Sequence, residues 1–98
     1  MVSQSYFRIS AEVAPSALDY IRRAARNRFL VLVEYMGAQR LVEPYALRHP
    51  ATGNEILHVW EVSKNGFPSN LHQRFIINLI VYLSTSEKTF TPKWEIEL

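Results

Sequence analysis

Cysteine is absent from this chain of 98 residues, and glycine and aspartate are scarce. Without cysteine, neither a disulfide framework nor a thiolate metal site can form. Only three glycines are present, and none belongs to a P-loop or a glycine-rich dinucleotide fingerprint. The single aspartate, Asp19, follows Ser16 at the spacing of a helix capping box. The sequence therefore contains no recognisable catalytic motif, and we expect a protein that is not an enzyme.

Long apolar runs are also missing. The longest, FLVLV and IINLIVYL, are too short to cross a bilayer as helices. The first residues, MVSQSYFRIS, lack the basic start and apolar stretch of a signal peptide. We therefore expect a soluble, cytoplasmic protein with no membrane partner.

A large excess of charge of either sign is missing as well. The net charge is +2, far from that of a protein that coats duplex DNA. Eight of the eleven basic residues are arginines, however, and the planar guanidinium suits bidentate capture of phosphate. The three histidines, His49, His58 and His72, lack metal-ligand spacing, so we expect neither a metal nor a cofactor.

What the chain does contain is typical of one globular domain spanning residues 1–98. Hydrophobic residues make up 48% and charged residues 20%, without repeats or linker-like tracts. Residues 5–9, SYFRI, predict a short strand. Residues 15–27 predict a helix, because Leu18, Ile21 and Ala25 recur at helical spacing.

The rest of the chain favours β-structure. Strands are predicted at FLVLVEYM, at about 40–47, at EILHVWEV, at RFIINLIVYLS and near the end, with 63–73 as a loop. A type II′ turn at Gly37-Ala38 would pair Tyr35 with Arg40. Pro44 cannot donate to a ladder, so its strand should be at an edge or bent. The fold class is mainly β with one N-terminal helix: a small, strongly bent, five-stranded antiparallel Sm-like or SH3-like barrel over about 29–94.

The order of motifs resembles the WYL domain family. A helix ending in basic residues, IRRAARNR, precedes a strand ending in tyrosine, LVLVEY, and then the most specific part, RLVEPYAL. LHVWEV, FIINLI and TFTP follow in order, and the match covers most of residues 17–92. The triplet that names the family is replaced by LHVW, and Gln73, Asn78 and Leu79 stand where the family has two arginines and an aspartate.

The resemblance implies an Sm-like barrel that senses ligands, nucleotides or nucleic-acid fragments above all. Such domains are generally attached to a DNA-binding helix-turn-helix in bacterial transcription regulators, and several occur in phage defence. It also implies a possible partner for this chain, a DNA-binding regulator or a second copy of itself.

Five residues are candidates for a ligand site: Tyr35, Arg40, His58, His72 and Arg74. Arg40 and Tyr35 together would bind a phosphate or stack a base. The alternative is that Arg40 forms a surface pair with Glu34 or Glu43, which contributes little. His72 and Arg74 would add positive groups to the same face or simply face water, and His58 would tune the site or be a structural histidine.

Two functions remain open on the sequence. The first is a non-catalytic, WYL-like module that binds a nucleotide or short single-stranded nucleic acid through an Arg/Tyr face. The second is a protein interaction or oligomerisation domain that has lost the ligand pocket, which the residues at Gln73 and Leu79 favour.

Overall fold

A computed structural model describes residues 16–51 and 53–98, which form one helix and five antiparallel strands. The elements are α1 (Ala17–Arg26), β1 (Phe29–Tyr35), β2 (Ala38–Arg48), β3 (Ile56–Lys64), β4 (Phe67–Ile76) and β5 (Val81–Thr89). A single 3-10 turn, Ile77–Leu79, separates β4 from β5. The strand predicted at residues 5–9 lies outside the described residues.

The helix α1 begins at the predicted capping box. The Ser16 hydroxyl accepts the Asp19 N–H, and the Asp19 carboxylate accepts the Ser16 N–H, so two free donors of the first turn are satisfied. Asn27 ends the helix, and Ile21, Ala24 and Ala25 form its buried face. No helix in the described part of the chain is long and apolar enough to span a membrane.

The strands form one sheet in the order β4-β3-β2-β1-β5. The predicted class, mainly β with one helix and a five-stranded antiparallel sheet, is confirmed. Closure into a barrel is not, because β4 and β5 each pair with only one neighbour within the described residues.

The β1–β2 turn differs from the predicted one by its position and type. Met36 and Gly37 occupy the turn, with φ of 50° and 77°, as in the type I′ turns that match strand twist. Tyr35 therefore pairs with Ala38, and Arg40 pairs with Val33. The predicted register was wrong by two residues, a shift that leaves Tyr35 and Arg40 on one face as diagonal neighbours.

The strand of Pro44 was predicted to lie at an edge or to be bent, and the structure shows a central strand with an irregularity at this position. β2 lies in the middle of the sheet, and its pairing with β1 ends at Val42. The register with β3 then shifts between Pro44 and Ala46, which leaves Tyr45 as an extra residue. Pro44 is tolerated because it follows the end of the β1 ladder, where no N–H is required.

The second half of the chain contains further corrections. Residues 63–73, predicted as a loop, form the end of β3, an Asn65-Gly66 turn and most of β4. The strand predicted at 74–84 is broken by the 3-10 turn. The predicted last strand is reduced to one bridge between Glu97 and Ala46. β4 was missed because an edge strand can be polar, and its burial pattern is largely exposed.

The core contains one ion pair among its aliphatic side chains. Arg40 is 7% exposed and Glu61 is 1% exposed, and Arg40 Nη1 lies 2.9 Å from Glu61 Oε1. The Arg40 guanidinium also donates to the Tyr35 carbonyl at 3.1 Å. The hydrophobic core itself consists of buried apolar residues from the helix, the strands and the 3-10 turn: Ile21, Ala24, Val31, Val33, Val42, Leu57, Val59, Phe75, Ile77 and Ile80.

Removing one partner of this pair should be costly, because the other charge would be left in the core. We expect Glu61→Leu to lower the free energy of unfolding by about 3–5 kcal/mol, and the double variant Arg40→Met/Glu61→Leu to recover most of it. Urea unfolding measures both. The control is Glu97→Gln, which breaks the half-exposed Arg48–Glu97 pair and should cost less than about 1 kcal/mol. Equal losses for Glu61→Leu and Glu97→Gln would contradict the assignment.

Candidate functional site

The five candidate residues lie on two opposite faces of the sheet. Side chains alternate along β3, so Glu61 faces the core while His58 and Trp60 face outward. Arg40 contacts Glu61 and therefore belongs to the inner face with Tyr35. Across the β3–β4 ladder, His58 pairs with Arg74 and Trp60 with His72, which places these residues on the outer face. The structure thus divides the expected site in two.

On the inner face, Tyr35 and Arg40 contact each other as the sequence predicted. The Arg40 Cζ atom lies 5.6 Å from the Tyr35 ring centroid and 5.3 Å from that of Phe75. The two rings stack at 4.1 Å, and the Tyr35 hydroxyl accepts the Ile76 N–H at 3.0 Å. Arg40 therefore has neither of the surface partners considered, Glu34 or Glu43. Its charge is already neutralised in the core, so Arg40 offers an external phosphate no open cation.

On the outer face, His58, His72 and Arg74 come together beside a pocket. The pocket has a volume of about 300 Å³ and is lined by Arg48, Pro50, Ile56, His58 and Arg74. His58 Nδ1 and His72 Nε2 are 3.1 Å apart. That bond requires an N–H on one ring and a lone pair on the other, so the two imidazoles are not both fully protonated.

The pocket is electropositive. Within the described part of the chain, no carboxylate lies within salt-bridge distance of Arg74, and its side chain is exposed. Arg48 pairs with Glu97 at 2.8 Å, a contact that is half exposed on both sides. Burial lowers the pKa of His58, and the charges of His72, Arg48 and Arg74 lower it further. The arginines thus create a potential that disfavours a third cation and favours an anion.

Aromatic side chains continue from the pocket along the outer face. The His58 and His72 rings stack with centroids 5.2 Å apart. The Trp94 ring meets the His72 ring edge-on at 5.9 Å and the Trp60 ring at 6.3 Å. Trp94 is 42% exposed, so part of its surface is open to a flat ligand. We call His72, Trp60 and Trp94 the aromatic row.

A polar cluster of the buried Tyr45 and Glu43 with the exposed Lys93 supports the far end of this row. The Tyr45 hydroxyl donates to Glu43 and accepts the Lys93 N–H at 3.0 Å, while Lys93 Nζ lies 2.8 Å from Glu43 Oε2. The Tyr45 ring stacks on Trp94 at 4.2 Å. Burial, followed by the hydrogen bond to Glu43, raises the pKa of Tyr45 to about 12.

Sequence reasoning missed four residues of the outer face: Arg48, Lys93, Trp94 and Glu97. Arg48 opens a segment that was interpreted as a turn, and the other three lie in a predicted closing strand. No spacing pattern connects positions so far apart in the chain. Tertiary contacts bring segment 90–98 beside β2, among them the Glu97–Ala46 bridge and the stacking of Trp94 on Tyr45.

Among residues 16–51 and 53–98, no three histidine, aspartate or glutamate side chains lie close enough together to hold a metal ion. The His58–His72 pair also has two arginines as neighbours, and their charge opposes a cation.

Comparison with known proteins identifies no relative: no protein-family model, no curated protein and no solved structure matches the chain. The resemblance of the sequence to the WYL domain family therefore stays a hypothesis. What the outer face does has to be inferred from its geometry and charge.

The Tyr45 cluster predicts a loss of stability at alkaline pH. In the unfolded chain the phenol titrates near 10.0, whereas in the folded chain it keeps its proton up to about 12. Between these values the unfolded state has lost a proton that the folded state still holds, so stability falls as pH rises. Tyr45→Phe should make this fall shallower in urea unfolding measured from about pH 9.5 to 11.5. An equal slope in both proteins would contradict the assignment.

Proposed function

We propose that this protein is a non-catalytic ligand-binding module, similar to a WYL domain, that binds a nucleotide or a short single-stranded nucleic acid. The pocket of Arg48, His58 and Arg74 takes the phosphate. The observation that supports this most directly is Arg74, an exposed guanidinium beside a second arginine and a histidine in one pocket. Guanidinium groups bind phosphate oxygens through charge-assisted hydrogen bonds.

The aromatic row gives the proposed ligand a second point of contact. A base attached to the bound phosphate would stack on His72 or on the exposed part of Trp94. Stacking of this kind tolerates every base, because each has a π-face. A phosphate pocket beside an aromatic surface is therefore suited to a nucleotide better than to inorganic phosphate alone.

Tyr35 and Arg40 have a supporting role in this proposal. From the inner face, Arg40 contacts Glu61 on β3. Arg40 and Tyr35 both contact Phe75 on β4. These two strands hold His58 and Arg74 in register on the outer face. The ligand-binding role first assigned to Tyr35 and Arg40 is thus replaced by a structural one.

The resemblance to the WYL domain family extends the proposal to regulation. A ligand-sensing module of this kind would act on transcription when joined to, or associated with, a DNA-binding regulator. Because nucleotides and short single-stranded nucleic acids occur in the cytoplasm, we propose that the protein acts there.

Removing either arginine of the pocket should weaken binding of a short oligothymidylate, the probe we would use. We expect Arg74→Gln and Arg48→Gln each to raise Kd about tenfold, the loss of one charge-assisted hydrogen bond. Each should also make the slope of log K against log salt concentration shallower by roughly 0.7. Fluorescence reports binding, because Trp60 and Trp94 lie on this face. The pKa of His58, measured from its imidazole NMR signals, should rise on binding, because the bound anion stabilises the imidazolium.

The matched control is Arg23→Gln on α1, which packs on β1, β2 and β5. This variant removes an equal charge from an exposed arginine outside the pocket, so Kd should stay within about twofold. An equal effect of all three substitutions would mean that binding follows net charge alone. Absence of saturable binding at low salt would exclude the pocket as a phosphate site.

A second candidate function, self-association, is favoured by the exposed edges of the sheet. Val81 and Leu83 are exposed on β5, and Phe67 and Leu71 are exposed on β4. Within the described residues, the outer edge of each strand lacks a backbone partner. An edge that combines free N–H and C=O groups with apolar side chains can pair with another chain.

Sedimentation velocity separates the two candidates. If the edge of β5 is an interface, the protein should be an oligomer without ligand, and Val81→Lys/Leu83→Lys should convert it to a monomer by placing charges at the contact. Ser84→Lys on the same strand is the control and should leave the oligomer intact. A monomer at all concentrations would eliminate this candidate.

A further inference from the structure

Beside the pocket lies a carboxylate, that of Glu97, which is paired with one of the two arginines of the pocket. Its carboxylate lies 2.8 Å from the Arg48 guanidinium, which lines the pocket, and Arg74 lacks such a partner among the described residues. The nearby Glu55 is paired with His49 at 2.9 Å. Because the hydrogen bond between His58 and His72 requires a lone pair on one ring, at most one of the two imidazoles is charged, and burial lowers the pKa of His58. Arg48, Glu97 and Arg74 therefore leave a net charge of about +1 at neutral pH.

Glu97 is held beside Arg48 by its backbone, independently of its side chain. Its N–H donates to the Tyr45 carbonyl at 2.7 Å, and its strand bridge to Ala46 lies next to the Ala46–His58 pair. The neighbouring Trp94 is fixed by stacking on Tyr45. The backbone of Glu97 is thus held beside Arg48, and we expect that its charge can be changed without moving segment 90–98.

We propose that Glu97 is a specificity-determining residue whose carboxylate makes the pocket discriminate against doubly charged phosphate monoesters in favour of singly charged phosphodiesters. The inference rests on the proposed function. A phosphodiester has one negative charge, which the charge of Arg74 balances, while Arg48 stays paired with Glu97 through one N–H group and donates another to the phosphate. A phosphate monoester has a charge of about −1.5 to −2 at neutral pH, and the excess would face Glu97.

The repulsion by Glu97 grows with the charge of the ligand. Neutralising this one carboxylate should therefore help a doubly charged phosphate about twice as much, in free energy, as a singly charged one. The pair is half exposed and screened by water, so the expected change in relative affinity is modest. It should be largest at low ionic strength.

The test compares two probes that share their base and sugar, adenosine monophosphate and cyclic adenosine monophosphate. The first is a monoester and the second a diester. We expect Glu97→Gln to shift the ratio of their Kd values by roughly fivefold in favour of the monoester. Glu97→Asp keeps the charge and should preserve the ratio of the parent protein. Glu95→Gln, an exposed residue of the same segment, is the matched control and should also preserve it.

The outcomes separate the inference from the proposed function. If both probes bind but Glu97→Gln leaves the ratio unchanged, or Glu95→Gln shifts it equally, the role of Glu97 is overturned and the pocket stands. If neither probe binds the parent protein, the pocket and the role of Glu97 both fall. A thermal melt of each variant establishes that it is folded. A dinucleoside monophosphate, as a third probe, distinguishes a strand-borne phosphodiester from a cyclic one.

Discussion

The guanidinium of Arg40 connects four of the five strands. From β2 it donates to the Tyr35 carbonyl on β1, pairs with Glu61 on β3 and lies over Phe75 on β4. A charge in the core is tolerated only when it is paired and its hydrogen bonds are made, and both conditions are met here. In the described residues, every buried side-chain nitrogen and oxygen has a partner. The relative positions of β2, β3 and β4 are coupled to this pair.

The same strands determine what the outer face presents. Because side chains alternate, a register that buries Glu61 and Phe75 must turn His58, Trp60, His72 and Arg74 outward. The inner ion pair and the outer pocket thus both depend on the register between β3 and β4. Segment 90–98 then adds Trp94 and Glu97 to that face, held through the extra residue Tyr45 in β2.

Several features were accessible from the sequence because their causes are local. The capping box of Ser16 and Asp19 marked the helix start, and the β-branched run of β1 marked a strand. The contact between Tyr35 and Arg40 was also predicted, although the turn was placed one residue late. The Met36-Gly37-Ala38 segment is compatible with a type I′ turn at Met36-Gly37 and with a type II′ turn at Gly37-Ala38. The positive φ of Met36 shows that the first of these is formed.

The sequence by itself determined the class of fold, the absence of thiol chemistry and the residue types available for anion binding. Local propensity and side-chain alternation are enough for these, because they depend on neighbours in the chain. Only the tertiary structure decided that Arg40 is neutralised in the core while Arg48, His58 and Arg74 share a pocket. Arg40 and Glu61 are 21 residues apart, and Arg48 and Glu97 are 49 apart. Which charge finds which partner over such distances depends on strand register and burial, and neither is specified by residues adjacent in sequence.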